Sequence, residues 1–251
     1  MAFYERENDL INIIMQYDRV SVEELLKRQY TSKSTLRRDL KKLEEKGLII
    51  RTHGGVMPVK KFADEQIPFS MRESEQNEEK ERIAKQAVEL IHDGDVIMLD
   101  ATTSAYRLIK YFKDLKDIIV ITSGAKASYL LGEMGIKNIC TGGHMINKSF
   151  SYVGQEALGT ISKYNADIVF FSCRGLSEDG FLSDNSIEEN EVRKMMMKRS
   201  KRKVFLCNSE KIGHSYLNNL CHISETDTII CDKAVPPYIA SLMKQPTLFR
   251  R

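Results

Sequence analysis

Short, almost wholly apolar segments recur through the second part of the chain and limit its fold more than any other feature. Val96–Leu99 is the clearest, and residues 118–122, 137–141, 168–172, 203–207 and 228–231 repeat the pattern between stretches of helical spacing. A strand that is apolar on both sides must be covered on both sides. Such strands alternating with helices predict an open parallel sheet between two helical layers.

The first part obeys a different rule. Leu10, Ile11, Ile13, Ile14 and Tyr17 share one broad face of a helix over residues 3–17. Ser21, with Glu24 three residues on, has the capping-box pattern of a short second helix ending near Gln29. Ser32 caps a third helix that stops at Gly47, and Leu36, Leu40 and Leu43 form its single apolar stripe. Leu48–Thr52 is β-prone, and Gly54-Gly55 supplies the tight turn of a hairpin. Three helices and a hairpin predict a winged helix-turn-helix over residues 1–57. Residues 58–72, bounded by prolines and rich in charge, are expected as a linker, and residues 73–251 as the α/β domain.

Charge is unevenly spread. Between Lys27 and Arg51 nine bases face three acids, a local +6, so the rest of a chain of net charge +3 carries −3. A basic island on a mildly acidic body fits a module that binds a polyanion. A solvated helix face would account for the bases alone, but the caps, the leucine spacing and the hairpin together favour DNA. With the leucines turned inward, Lys33, Ser34, Thr35, Arg37, Arg38 and Lys41 are left outward for bases and phosphates, and Arg51, Thr52 and His53 fall on the wing.

Several classes are excluded or disfavoured. The longest uninterrupted apolar runs, such as Ile118–Ile121, are four residues, against nearly twenty for a membrane helix. The N-terminus, Met1-Ala2-Phe3-Tyr4-Glu5-Arg6-Glu7, lacks the apolar core of a signal peptide. Five cysteines without a Cys-x-x-Cys pair suit reduced thiols in the cytoplasm. Cys207, His214, Cys221, His222 and Cys231 have no recognised ligand spacing, so no metal is expected, and no cofactor either.

Asp100-Ala101-Thr102-Thr103-Ser104 follows a predicted strand and opens a helix. In parallel sheets ligands bind at that edge, and free N–H groups at a helix start favour an anion such as phosphate. An ordinary helix cap would use the same residues.

The N-terminal motifs Val20-Ser21-Val22-Glu23-Glu24-Leu25, Thr35-Leu36-Arg37-Arg38-Asp39-Leu40, Leu43-Glu44-Glu45-Lys46-Gly47 and Arg51-Thr52-His53-Gly54-Gly55 closely resemble the DeoR family of bacterial repressors. Glu79-Lys80, Asp93-Gly94-Asp95, Thr102-Thr103, Gly142-Gly143, Asp179-Gly180-Phe181, Glu191-Val192-Arg193-Lys194 and Ser209-Glu210-Lys211 look like the sensor domain of that family. The resemblance implies a winged helix-turn-helix joined to a Rossmann-like, sugar-phosphate-isomerase-like parallel-sheet domain. It also implies a double-stranded DNA operator, a phosphorylated sugar or polyol effector that is not turned over, and a homo-oligomer, dimer or tetramer. By that resemblance Thr102, Thr103 and Ser104 cradle phosphate and Lys211 adds a cation. Asp100 and Glu191 are candidates for sugar hydroxyls, with Lys194, Arg174, Gly142 and Gly143 near the same pocket.

The chain departs from the family pattern at four places. Arg28-Gln29-Tyr30-Thr31 replaces an apolar, glycine-containing turn, and a left-handed Tyr30 would cost about 1–2 kcal/mol. Ala101, Ser123 and Asn208 stand where the family often has glycine, asparagine and aspartate. Asn208 removes a carboxylate, and no His–carboxylate pair is evident, which argues against the competing reading of an isomerase or deaminase with a DNA-binding appendage. A third reading is a constitutive DNA-binding protein whose sensor fold only oligomerises it.

Overall fold

The computed structural model describes Leu10, Ile13, Ile14 and residues 19–29, 32–45, 49–52, 54–58, 68–243 and 247–248. The chain divides into two compact units, residues 1–75 and 76–251.

In the first unit the elements are β1 (Val20–Ser21), α1 (Val22–Gln29), α2 (Lys33–Glu45), β2 (Ile49–Thr52), β3 (Gly55–Pro58) and α3 (Phe69–Ser74). The three strands form an antiparallel sheet in the order β1-β3-β2. β2 and β3 are the expected hairpin, with Thr52 opposite Gly55. Gly54 makes the turn at φ +80°, a backbone conformation that costs glycine nothing. Leu36, Leu40 and Leu43 are buried as one stripe, together with Leu10, Ile14, Val20, Leu25, Ile49 and Val56. Ser21 Oγ accepts from Glu24 N at 3.1 Å and so caps α1, while the Glu24 carboxylate accepts from Arg28 Nε at 3.0 Å.

The segment 58–72, expected as a linker, ends differently. Pro68 leads into α3, where Phe69 and Met71 are buried, and Met71 joins the core of this unit. Apolar surface on a short helix is more stable packed than hydrated, and the buried Phe69 and Met71 favour the helix over an extended linker there. Most of the expected helix over 3–17, the turn at Tyr30-Thr31, Gly47 and His53 lie outside the described residues.

In the second unit α4 (Asn77–Val88) precedes β4 (Val96–Leu99), α5 (Thr103–Leu108), β5 (Ile119–Thr122), α6 (Ala125–Glu133) and β6 (Asn138–Cys140). A hairpin, β7 (His144–Ile146) and β8 (Ser151–Val153), leads to α7 (Gln155–Ser162) and β9 (Ala166–Phe171). Then come β10 (Gly175–Leu176), β11 (Phe181–Asp184), α8 (Ile187–Lys198), β12 (Ser200–Cys207), β13 (Asn218–His222), β14 (Thr228–Cys231), α9 (Pro237–Ala240) and β15 (Thr247–Leu248).

Seven of these strands form a wholly parallel sheet in the order β15-β14-β12-β9-β4-β5-β6. The chain winds outward from β4 to β6, returns to β9 on the other side of β4, and winds outward again. The reversal between β4 and β9 is a topological switch point, where such sheets leave a crevice at their carboxyl ends. Ile97, Leu99, Ile168, Phe170, Val204, Leu206 and Ile230 enter one core, and Met98, Val169, Phe171, Phe205, Cys207, Ile229 and Cys231 the other. Each apolar strand is thus buried on both faces. A small antiparallel sheet, β10-β11-β13, carries α8 toward the switch point.

Candidate functional site

The candidate DNA-reading face begins at Ser32. Its Oγ accepts from Thr35 N at 3.2 Å and lies 2.8 Å from Thr35 Oγ1 and 3.0 Å from Ser34 Oγ, a hydroxyl cluster at the start of α2. Burial of the leucine stripe leaves Lys33, Ser34, Arg37, Arg38 and Lys41 exposed and Thr35 half-buried. Among the described residues Lys33, Arg37 and Arg38 have no ion-pair partner, so their charge is uncompensated. Lys41 reaches Glu45 at 3.8 Å, but both are exposed and the pair holds it weakly. On the wing, Arg51 is tied to α2 by Glu44, through its N–H at 3.3 Å and its guanidinium at 3.6 Å. Thr52 is half-buried beside it, and its Oγ1 has no hydrogen-bond partner among the described residues.

In the second unit the switch point holds a buried charge centre. Asp100, one residue past β4, accepts four hydrogen bonds. Oδ1 takes Thr102 N at 3.0 Å and Thr102 Oγ1 at 2.6 Å, and Oδ2 takes Ser172 N at 3.0 Å and Arg193 Nε at 3.2 Å. Arg193 comes from α8 and forks onward, from Nη1 to Asp184 Oδ2 at 2.9 Å and to Asn190 Oδ1 at 2.8 Å. Asp184 also accepts from Arg174 Nε at 3.1 Å. Ser172, past the end of β9, accepts from Lys211 Nζ at 2.7 Å and donates to Leu206 O at 2.6 Å. One chain of hydrogen bonds therefore runs from Thr102 through Asp100 and Ser172 to Lys211, joining the ends of β4, β9 and β12.

Burial decides the protonation balance, and the two carboxylates differ. Full burial lifts the Asp100 pKa above its ordinary value, although Arg193 and the four donors pull the other way. Burial also acts to raise Asp184, but Arg193 and Arg174 overcome it and hold that carboxyl below the usual range. Arg193, buried between acids, stays charged, with a pKa raised above normal.

Thr102 caps α5, accepting from Ala105 N at 3.3 Å. The N–H and hydroxyl groups of Thr103 and Ser104, in the first turn, have no acceptor or donor partner among the described residues, although both side chains are largely buried. Lys211 has no carboxylate within ion-pair distance among them either.

The remaining sequence candidates are distributed more widely. Arg174 is half-buried and engaged with Asp184. Glu191 and Lys194 stand exposed on α8, on either side of the residues that turn inward. Gly142 and Gly143 follow β6, four strands from β12, or about 19 Å at the usual strand spacing. Arg193, Asp184, Ser172 and Asn190 were not singled out from the sequence. For Asn190 and Arg193 the signal is helical spacing, since with Met197 they share a buried face of α8 at intervals of three and four; Asp184 and Ser172 lie at strand ends and carry no such signal. Of the cysteines and histidines considered for zinc, Cys207 and Cys231 are neighbours on adjacent strands, and no metal-holding group of three forms among the described residues.

Comparison with known proteins identifies both domains. Residues 6–62 match the model of the DeoR-like helix-turn-helix domain, and residues 75–233 that of the DeoR C terminal sensor domain. The HTH-type transcriptional regulator GolR of Listeria innocua is 33% identical over 236 residues, covering 92% of this chain and 91% of that protein. The glycerol-3-phosphate regulon repressor of Escherichia coli is 28% identical over 234 residues, covering 93% and 92%. Among solved structures, eIF2B delta from Chaetomium thermophilum superposes with a TM-score of 0.50 over 85% of this chain and 80% of that chain, at 16% identity, a likeness of fold alone. The full-length relatives are transcriptional regulators and not enzymes, which sets aside the isomerase or deaminase alternative. The two domain models, matched in succession over most of its length, make this chain a member of the DeoR family of transcriptional regulators.

Proposed function

We propose that the protein is a cytoplasmic repressor of carbohydrate or polyol metabolism genes whose operator affinity is set by a phosphorylated sugar or polyol. It acts as a homo-oligomer, dimer or tetramer, because one helix and wing offer too few contacts for selectivity while paired modules read related half-sites. The observation that carries the effector reading is the Thr102–Asp100–Ser172–Lys211 chain. It places an uncompensated ammonium at the same sheet edge as the uncommitted amides and hydroxyls of Thr103 and Ser104. Such a set suits an anion with three acceptor oxygens. The resemblance to a repressor of a glycerol-3-phosphate regulon supports the same class.

In this arrangement Asp100 anchors the loop instead of meeting the ligand first, since all its acceptances lie within the protein. An effector that prefers one arrangement of the paired DNA-binding modules shifts operator affinity by its differential binding. A thermal-shift screen of phosphorylated sugars and polyols identifies the ligand, because binding to the folded state alone raises stability. Calorimetry with the hit then tests the pocket. A charge-assisted contact is worth about 1.5–3 kcal/mol, so Lys211→Ala weakens binding roughly tenfold to a hundredfold. The variant still binds the operator but loses its response. Equal affinity for the compound with and without its phosphate overturns the assignment.

A further inference from the structure

Two of the buried cysteines are side by side. Cys207 ends β12, Cys231 ends β14, and the two are register partners on neighbouring parallel strands. Residues opposite one another in such a ladder leave the sheet on the same face, and both thiols enter the same core. Neighbouring strands lie about 4.8 Å apart, inside the Cα separation of about 4.4–6.8 Å that a disulfide accepts. The two thiols donate to their own neighbours, and these contacts are long: Cys207 Sγ to Asn208 O at 3.4 Å, and Cys231 Sγ to Asp232 Oδ1 at 3.7 Å.

The pair is asymmetric. Cys231 retains 5% of its surface, and Cys207 none. The neighbouring Cys207 thiol lowers the Cys231 pKa against burial and the Asp232 carboxylate, while Cys231 and burial raise that of Cys207. Burial pushes Cys173 up to about 12 and Cys221 higher still, so neither competes as a thiolate.

We propose that Cys207 and Cys231 form a modification site, a dithiol that a peroxide converts to a disulfide beneath the loop that carries Lys211. The Cys231 thiolate attacks one peroxide oxygen and the O–O bond breaks. Hydroxide leaves, takes up a proton as water, and leaves a sulfenic acid on Cys231. The Cys207 sulfur attacks that sulfur, the S–OH bond breaks, and the Cys207 proton departs with the hydroxide as a second water. Two thiols lose two electrons and two protons in all, and the peroxide gains them.

The bond would reach the pocket through the next residues along. Asn208–Lys211 follows Cys207 directly, and Asp232, next to Cys231, accepts from Ser209 N at 2.6 Å and Ser209 Oγ at 3.0 Å. Drawing the sulfurs to about 2.05 Å moves the two strand ends that carry these groups. This oxidation is independent of what the pocket binds.

The experiment uses the full, reduced wild-type chain. It is treated with a small excess of hydrogen peroxide, blocked with N-ethylmaleimide and digested without reductant. The expected product is a peptide joining Cys207 to Cys231 that dithiothreitol separates, with Cys173 and Cys221 still alkylated after unfolding. Oxidation confined to half-buried Cys140, or a sulfinic acid at Cys231 without the cross-link, overturns the proposal. In Cys207→Ser, dimedone is expected on Cys231; in Cys231→Ser, label on Cys207 overturns the order of attack. Hydrogen exchange at Ser209 should accelerate at least tenfold on oxidation, and an unchanged rate overturns the link to the loop.

Discussion

Arg193→Ala removes the one guanidinium that bridges Asp100 and Asp184. Arg193 is 4% exposed and the two aspartates 1% and 5%, so the acids left behind find little water. Asp184 keeps Arg174 at 3.1 Å; Asp100 keeps only Ser172 N and the two donors of Thr102. Breaking a buried ion pair by deleting one partner costs about 3–5 kcal/mol. A domain's whole stability is about 5–15 kcal/mol, so this is about a fifth of it or more. For a unit of this size each kcal/mol moves Tm by about 2–4 °C, so the sensor transition should fall by roughly 6–20 °C. Arg193→Lys should fall between, because an ammonium cannot reproduce the fork to both acids. Scanning calorimetry of the full chain at several pH values measures both size and sign. Asp100 already has a raised folded pKa, and losing the cation raises it further. The variant therefore loses stability as pH rises from the unfolded value, about 3.9, through that raised value. Asp184 in the wild type is lowered, so its contribution is present above the unfolded value and disappears as pH falls below it. Both effects make the gap widest at neutral pH and narrower in acid. A loss under about 1 kcal/mol, or a gap that grows in acid, would refute the reasoning.

Three further outcomes are expected. Arg37→Ala or Arg38→Ala should weaken operator binding by about 1–3 kcal/mol where the side chain meets a base edge, or reduce the salt slope by about one where it meets phosphate. Anisotropy titrations across salt separate these cases, and unchanged affinity and slope in the double variant would show that α2 does not read DNA. Gly143→Ala should destabilise the sensor unit by about 2 kcal/mol or more in urea unfolding, since φ is +106° and the new Cβ would sit 2.5 Å from Val153 O. Ser32→Ala removes the cap that Thr35 N uses and should lower the stability of the first unit by about 1 kcal/mol, read as a shift in its urea midpoint without a change in slope.

Features written in consecutive residues were legible. Ser32, the leucines at 36, 40 and 43 and the turn glycines describe α2 and its wing within about twenty positions, and the structure builds them that way. The parallel strands were legible because burial on both faces leaves an uninterrupted apolar run. Their order was not, since pairing of β4 with β9 follows from how the crossovers pack. The β10-β11-β13 sheet was also missed. Its strands of two, four and five residues have no apolar alternation, and β13 joins β11 across a whole helix and a strand. Thr102–Ser104 and Lys211 stood out because each follows a strand end. The anchors of Asp100 did not, because Ser172 and Arg193 lie 72 and 93 residues away. Arg193 sits among exposed charges at Glu191 and Lys194, and only the period of α8 marks it as inward.

Asn208 shows why a departure from a family pattern must be read in place. In sequence it is a carboxylate lost. In the structure its Oδ1 accepts from Glu210 N at 3.0 Å, a cap that an aspartate would serve equally well. The other side-chain atom separates the two residues. Nδ2 is buried without a hydrogen-bond partner among the described residues, and an aspartate would put a charged oxygen there instead. A buried unpaired carboxylate is costlier than a buried unpaired amide, so the neutral residue relieves that position. It also changes what Lys211 meets three residues later. With aspartate at 208, a fixed negative charge would share this loop and compete for the ammonium. With asparagine, Lys211 keeps only the neutral Ser172 hydroxyl, and its charge is left for an anion. On this argument Asn208→Asp should weaken a phosphorylated effector while strengthening the loop's own contacts, so a variant that binds the effector more tightly would count against it.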